Sequence, residues 1–98
     1  MVASLRARAG AEQEAAEVLL EVAAQTHAEQ GCIRYAVHRG ADDPARLVLI
    51  ERWESREALD AHFTQPYVAA LAQQTHLLAE PAQVWFLDPL GDEGKGRL

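Results

Sequence analysis

The chain is short of several features that usually announce a function. It has a single cysteine, Cys32, in 98 residues, so no intrachain disulfide can form. No apolar run approaches the roughly 20 residues that a membrane-crossing helix needs. The N-terminus lacks the charged-then-apolar order of a secretory signal. These absences lead to the expectation of a cytoplasmic protein with no membrane partner. Nine basic residues stand against fifteen acidic ones, a formal net charge of -6. The arginines are scattered, which argues against nucleic acid or anionic lipid as a partner. No glycine-rich loop follows a strand, so a nucleotide has no usual seat. No serine stands in a nucleophile-elbow context. The one helical His–carboxylate pair, His76 with Glu80, abuts Pro81 and suits a metal poorly. Neither a metal nor an organic cofactor is expected.

What remains is a globular composition, 49% hydrophobic and 24% charged, in one domain of ordinary size. Val2 to Arg8 alternates weakly and reads as a strand. Ala11 to Gln30 is an unbroken run of strong helix formers with an apolar stripe through Ala15, Val18, Leu19, Val22, Ala23 and Thr26. Gly31 sits where a helix commonly ends in a left-handed residue. Cys32 to Arg39 alternates, with Ile33, Tyr35 and Val37 assigned to one face. Turn formers fill Gly40 to Ala45, and Arg46 to Trp53 reads as the antiparallel return strand. Ser55 is a good N-cap for a helix from Arg56, and Pro66 opens another that the pattern carries to about Ala79. Ala82 to Asp88 completes the set as a fourth strand.

The order strand–helix–strand–strand–helix–strand predicts an α+β, ferredoxin-like βαββαβ domain with a four-stranded antiparallel sheet, over residues 1–90. Residues 91–98 read as a flexible tail. The third strand is apolar on both faces, Leu47 and Leu49 against Val48 and Ile50. Strands of that kind are usually covered on both sides, and the helices can cover only one. A homodimer packed sheet to sheet is therefore expected.

In the helix after Ser55, Ala58, Leu59, His62 and Phe63 fall on one face by the helical period, so His62 points inward. A buried imidazole can act as acid, base or neutral hydrogen-bond partner, and a hydrogen-bonded core histidine is the plainer alternative. Glu51 and Trp53 share a strand face; the carboxylate could orient His62, bind a hydroxyl or pair with an arginine. Trp53, Tyr35 and Tyr67 serve equally as packing or as flat walls for an aromatic ligand. His27, His38 and His76 fall near element ends and read as surface residues.

The runs G-C-I-R-Y-A-V-H-R, E-R-W-E-S-R-E-A-L-D-A-H-F and T-Q-P-Y resemble the antibiotic biosynthesis monooxygenase (ABM) family. The resemblance spans about residues 1 to 90 and rests on Gly31, Tyr35, Glu51, Trp53, Ser55 and His62 at family spacing. It implies a ferredoxin-like dimer forming an α+β barrel, with a pocket between sheet and helices in each subunit. Relatives include monooxygenases that oxidise reduced quinones or polyketide anthrones without metal or prosthetic group. Others degrade haem, isomerise a small phosphorylated compound or have no assigned activity. The haem branch fits poorly: its axial histidine falls at Ala72, its first-strand asparagine is absent from Val2 to Ser4, and its short-helix tryptophan falls at His62. The family's frequent Pro-His after the short helix is Pro66-Tyr67 in this chain.

Cofactor-free oxygenation asks little of a protein. Triplet dioxygen reacts slowly with closed-shell molecules, so with no cofactor to carry the step the substrate itself must donate the electron. An apolar slot, a base and an orienting donor then suffice. The resemblance implies His62 as base or anion stabiliser, with Glu51 setting its tautomer, and Trp53, Tyr35, Phe63 and Tyr67 walling the slot around a small aromatic substrate. Two alternatives use the same pocket: a non-enzymatic ligand-binding dimer, and an isomerase or lyase in which Arg34 or Arg52 meets an anionic substrate.

Overall fold

The computed structural model describes residues 1–98. Four strands, β1 (Val2–Arg6), β2 (Cys32–Arg39), β3 (Arg46–Trp53) and β4 (Gln83–Trp85), form one antiparallel sheet in the order β2-β3-β1-β4. Helix α1 (Glu12–Thr26) follows β1, and the short helices α2 (Arg56–His62) and α3 (Pro66–Ala72) follow β3. This is the ferredoxin-like α+β arrangement.

Alternation decides the two sheet faces. Ala3 and Leu5 of β1, with Leu47 and Leu49 of β3, point to the helix side and pack against Ala15, Ala16, Leu19, Val22 and Ala23 of α1. The opposite face carries Val2, Val48 and Ile50, which stay half-buried in the single chain. No helix is long and apolar enough to cross a membrane.

Several elements depart from expectation in extent or in register. Helix α1 stops at Thr26, whose hydroxyl donates back to the Val22 carbonyl at 2.8 Å, and His27–Gln30 unwind into turns. The pairing of β2 with β3 shifts between Cys32 and Arg34, a bulge that sets Cys32 opposite Trp53 and Tyr35 opposite Glu51. Cys32, Tyr35 and Val37 therefore pack toward the core, and Ile33 faces out at 45% exposure, against its expected grouping with Tyr35. Helix α3 ends at Ala72 rather than near Ala79; a single 3-10 turn at Thr75–Leu77 follows and buries Leu77. Strand β4 has three residues because Trp85 pairs with Val2, the first residue of β1, and the ladder ends there. Phe86 and Leu87, expected in that strand, continue beyond it half exposed. The last residues lie against β3: Arg52 donates to Glu93 at 2.6 Å and to the Leu98 carbonyl at 3.3 Å.

Candidate active site

The site is built where the end of β3 turns into α2. Ser55 caps α2 by accepting from the Ala58 amide at 3.1 Å. The Gly31 carbonyl accepts from the Glu54 amide at 2.8 Å, which ties the start of α2 to the turn after α1. Gly31 has φ +88°, and a Cβ there would stand 2.6 Å from the Ala58 Cβ. Only glycine allows both that conformation and that approach. The approach brings α2 down so that Leu59 and His62 are buried on its inner side.

His62 is 2% exposed. Its Nδ1 lies 2.8 Å from Glu29 Oε2, and the same oxygen accepts from the Tyr67 hydroxyl. A carboxylate at Nδ1 holds the proton on that nitrogen and leaves Nε2 as the acceptor. Nε2 has no partner in the protein. Aromatic rings surround the imidazole: Trp53 at 4.8 Å, Tyr35 at 5.5 Å and Phe63 at 5.6 Å between centroids. Burial, and then the Glu29 carboxylate that it donates to, push the Tyr67 phenol up to about 12. Burial likewise raises the Tyr35 phenol.

The carboxylate at Nδ1 is thus Glu29, not Glu51 as the resemblance implied. Glu29 lies in the turn between α1 and β2, 33 residues from its imidazole partner, and periodicity carries no trace of such a pairing. One local signal did exist. An acidic residue at a helix C-terminus opposes the helix dipole, so Glu29 just before Gly31 asks for a partner elsewhere in the fold.

Glu51 is instead held by Trp53, whose indole Nε1 donates to Oε1 at 3.0 Å. The residue is 5% exposed, and its Oε2 has no hydrogen-bond partner. Burial raises this carboxyl above its ordinary range, against the lowering effects of the Trp53 indole, His62 and the N-terminal ammonium.

Between the sheet and the helices lies a cavity of about 640 Å³, and 17 of its 23 lining residues are hydrophobic. Tyr35, Glu51, His62 and Phe63 all line it; Trp53 and Tyr67 do not. Those two support the polar groups from behind rather than wall the slot. Phe63 is 42% exposed and makes an edge contact with Phe86, so it serves one side of the cavity without being core. Gln74, Thr75 and Glu80, the other polar lining residues, are more accessible than the buried Glu51 and His62. No three His, Cys, Asp or Glu side chains cluster in a way that could hold a metal ion. His27, His38 and His76 are exposed, with His27 Nε2 bonded to the Tyr35 carbonyl at 2.8 Å. Cys32 is partly buried, and burial raises its thiol.

A family model described as antibiotic biosynthesis monooxygenase matches residues 1–74. The chain belongs to that family. Rv0793 of Mycobacterium tuberculosis, named as a candidate monooxygenase, is 44% identical over 68 residues, 68% of this chain and 66% of its own length. The uncharacterised protein sll1783 of Synechocystis is 33% identical over 60 residues, 60% of this chain and 41% of its own. The chain thus matches just under two thirds of one relative's sequence and well under half of the other's. Their folds compare over greater lengths. The Rv0793 structure superposes with a TM-score of 0.87 at 35% identity over 95% of each chain. A Caulobacter crescentus structure described as an antibiotic biosynthesis monooxygenase candidate gives 0.82 at 26% identity, over 89% of this chain and 84% of its own. ABM membership points to a monooxygenase-like function, and the ABM structures share the ferredoxin-like fold described above.

Proposed function

We propose that the protein is a cofactor-independent monooxygenase that oxidises a hydroquinone-like or polyphenolic aromatic compound with dioxygen. The observation that carries this reading is the buried His62, tethered at Nδ1 by Glu29, with Nε2 free of protein partners and the ring lining an apolar cavity. Nε2 takes the proton of a phenolic hydroxyl. Glu29 steadies the imidazolium that forms, and Tyr67 fixes Glu29 by donating to the same oxygen. Tyr35 and Phe63 bound the slot, whose apolar lining strengthens such electrostatic support relative to water.

The substrate anion then passes one electron to dioxygen, and the two radicals combine to form a carbon–oxygen bond at the electron-rich carbon. His62 returns its proton to the outer peroxide oxygen. The O–O bond breaks as that carbon loses its own proton; one oxygen leaves as water and the other stays on the product. The substrate supplies every electron that reduces the dioxygen, so no external reductant enters.

The working unit in this reading is a homodimer packed through the sheet face that carries Val2, Val48, Ile50 and Trp85. Trp85 is 46% exposed in the single chain, and an apolar sheet face of this kind calls for a cover. The test is oxygen uptake by metal-free protein against reduced quinones and anthrones, with autoxidation subtracted. Saturable uptake abolished in His62→Ala supports the reading. Uptake unchanged by that substitution overturns the role of His62, and no uptake by the wild type overturns the reaction.

A further inference from the structure

The reading above leaves one buried group unused. Glu51 stands in the wall of an apolar cavity with one oxygen fixed by the Trp53 indole and the other without any partner. A buried polar atom left unpaired costs about 1–3 kcal/mol, and an unpaired buried charge costs more. Trp53 can only donate, so it fixes Oε1 as an acceptor. The remaining oxygen, Oε2, is buried and unpartnered, and is the one free to carry the proton. Burial already favours the protonated form of this carboxyl.

Four groups bear on that protonation: the Trp53 indole, His62 of α2, the Met1 ammonium, and the Glu29 carboxylate of the turn before β2. The first three favour the charged form, Glu29 opposes it, and desolvation, the largest single cause, leaves the carboxyl raised on balance.

We infer that Glu51, as a neutral carboxyl, donates a hydrogen bond from Oε2 to a second oxygen of the substrate, while His62 Nε2 takes the proton from the first. The site is then built for an aromatic compound with two oxygen functions joined by conjugation. Charge released at His62 spreads through the ring to the far oxygen, where a neutral donor stabilises it and a carboxylate would repel it. This inference rests on the aromatic-slot reading and assigns the polarity of the slot's second anchor.

The test is anaerobic calorimetric binding of 1,4-dihydroxynaphthalene and 1-naphthol, which differ by one oxygen, to wild type, Glu51→Gln and Glu51→Leu. A glutamine keeps a neutral donor and an acceptor for the indole; a leucine keeps only bulk. The wild type is expected to prefer the two-oxygen probe by about tenfold, near the upper end of the net contribution of a neutral hydrogen bond. Glu51→Gln should retain that preference and Glu51→Leu should erase it, with thermal melts showing both variants folded. Preference lost equally in the glutamine variant, or retained in the leucine variant, overturns the donor role and leaves the oxygenase reading standing. Binding of neither probe to the wild type overturns the aromatic slot, and the inference with it.

Discussion

Replacing Gly31 by alanine should damage the protein through two separable effects. The first is backbone strain: Gly31 sits at φ +88°, and a side chain in the left-handed region costs about 1–2 kcal/mol. The second is steric. The new Cβ would lie 2.6 Å from the Ala58 Cβ, and relieving overpacking of that kind typically costs about 1–3 kcal/mol. Together they come to about 3 kcal/mol, which at about 4–8 °C per kcal/mol for a domain of this size lowers Tm by at least about 10 °C. Thermal denaturation followed by circular dichroism measures it. The partition is tested by repeating the substitution in an Ala58→Gly background, which itself costs about 0.5–1 kcal/mol in helix propensity. There the clash is gone, and Gly31→Ala should cost only the strain, about 1–2 kcal/mol. An equal cost in both backgrounds, or no loss in either, would refute the claim that α2 is seated on Gly31.

The other expectations concern the site and the assembly. Glu29→Gln keeps an acceptor but removes the charge beside an imidazolium, an interaction of about 1.5–3 kcal/mol. It should lower kcat about ten- to a hundredfold, and an effect on KM alone would contradict the assignment. The Glu51 carboxyl is raised in the fold, so the native state binds its proton more tightly than the unfolded chain does. Its contribution is complete below the ordinary value of 4.5 and fades as pH rises through the raised folded value. The stability of Glu51→Gln relative to wild type should therefore improve as pH climbs through that window, and a difference that does not change with pH counts against burial as the cause. His62, Glu29 and the Met1 ammonium face the same carboxyl, so the comparison is best made in a His62→Gln background as well. Light scattering should show a dimer at micromolar concentration and a monomer for Ile50→Glu. A monomeric wild type would remove the case for sheet-to-sheet packing.

The architecture could be read from the chain because it rests on local periods. Alternation in Arg46–Trp53 and the stripe through α1 were set by adjacent residues, and His62 faced inward by the helical repeat. Where the answer depended on residues far apart, the sequence was silent. A bulge beside Ile33 turned that side chain outward, because register is a property of two strands and not of one. The partnership of His62 with Glu29 joins a short helix to a turn 33 residues away. Strand β4 was cut short by where β1 begins, although Phe86 and Leu87 continue its apolar character. The site followed the same division: the side chains on the sheet and on α2 could be nominated from patterning, and Glu29, which reaches His62 from a distant turn, could not. Glu51 and Trp53 were rightly placed on one face, and their indole–carboxylate bond follows from that placement.

The central claim is that one atom of dioxygen enters an aromatic substrate with His62 acting as the base. Its most direct test is turnover under oxygen-18 gas with a reduced quinone, followed by mass spectrometry of the product and assay of hydrogen peroxide. The account predicts one oxygen-18 atom in the product, none released as peroxide, and no labelled product from His62→Ala. An unlabelled quinone formed with stoichiometric peroxide would contradict it.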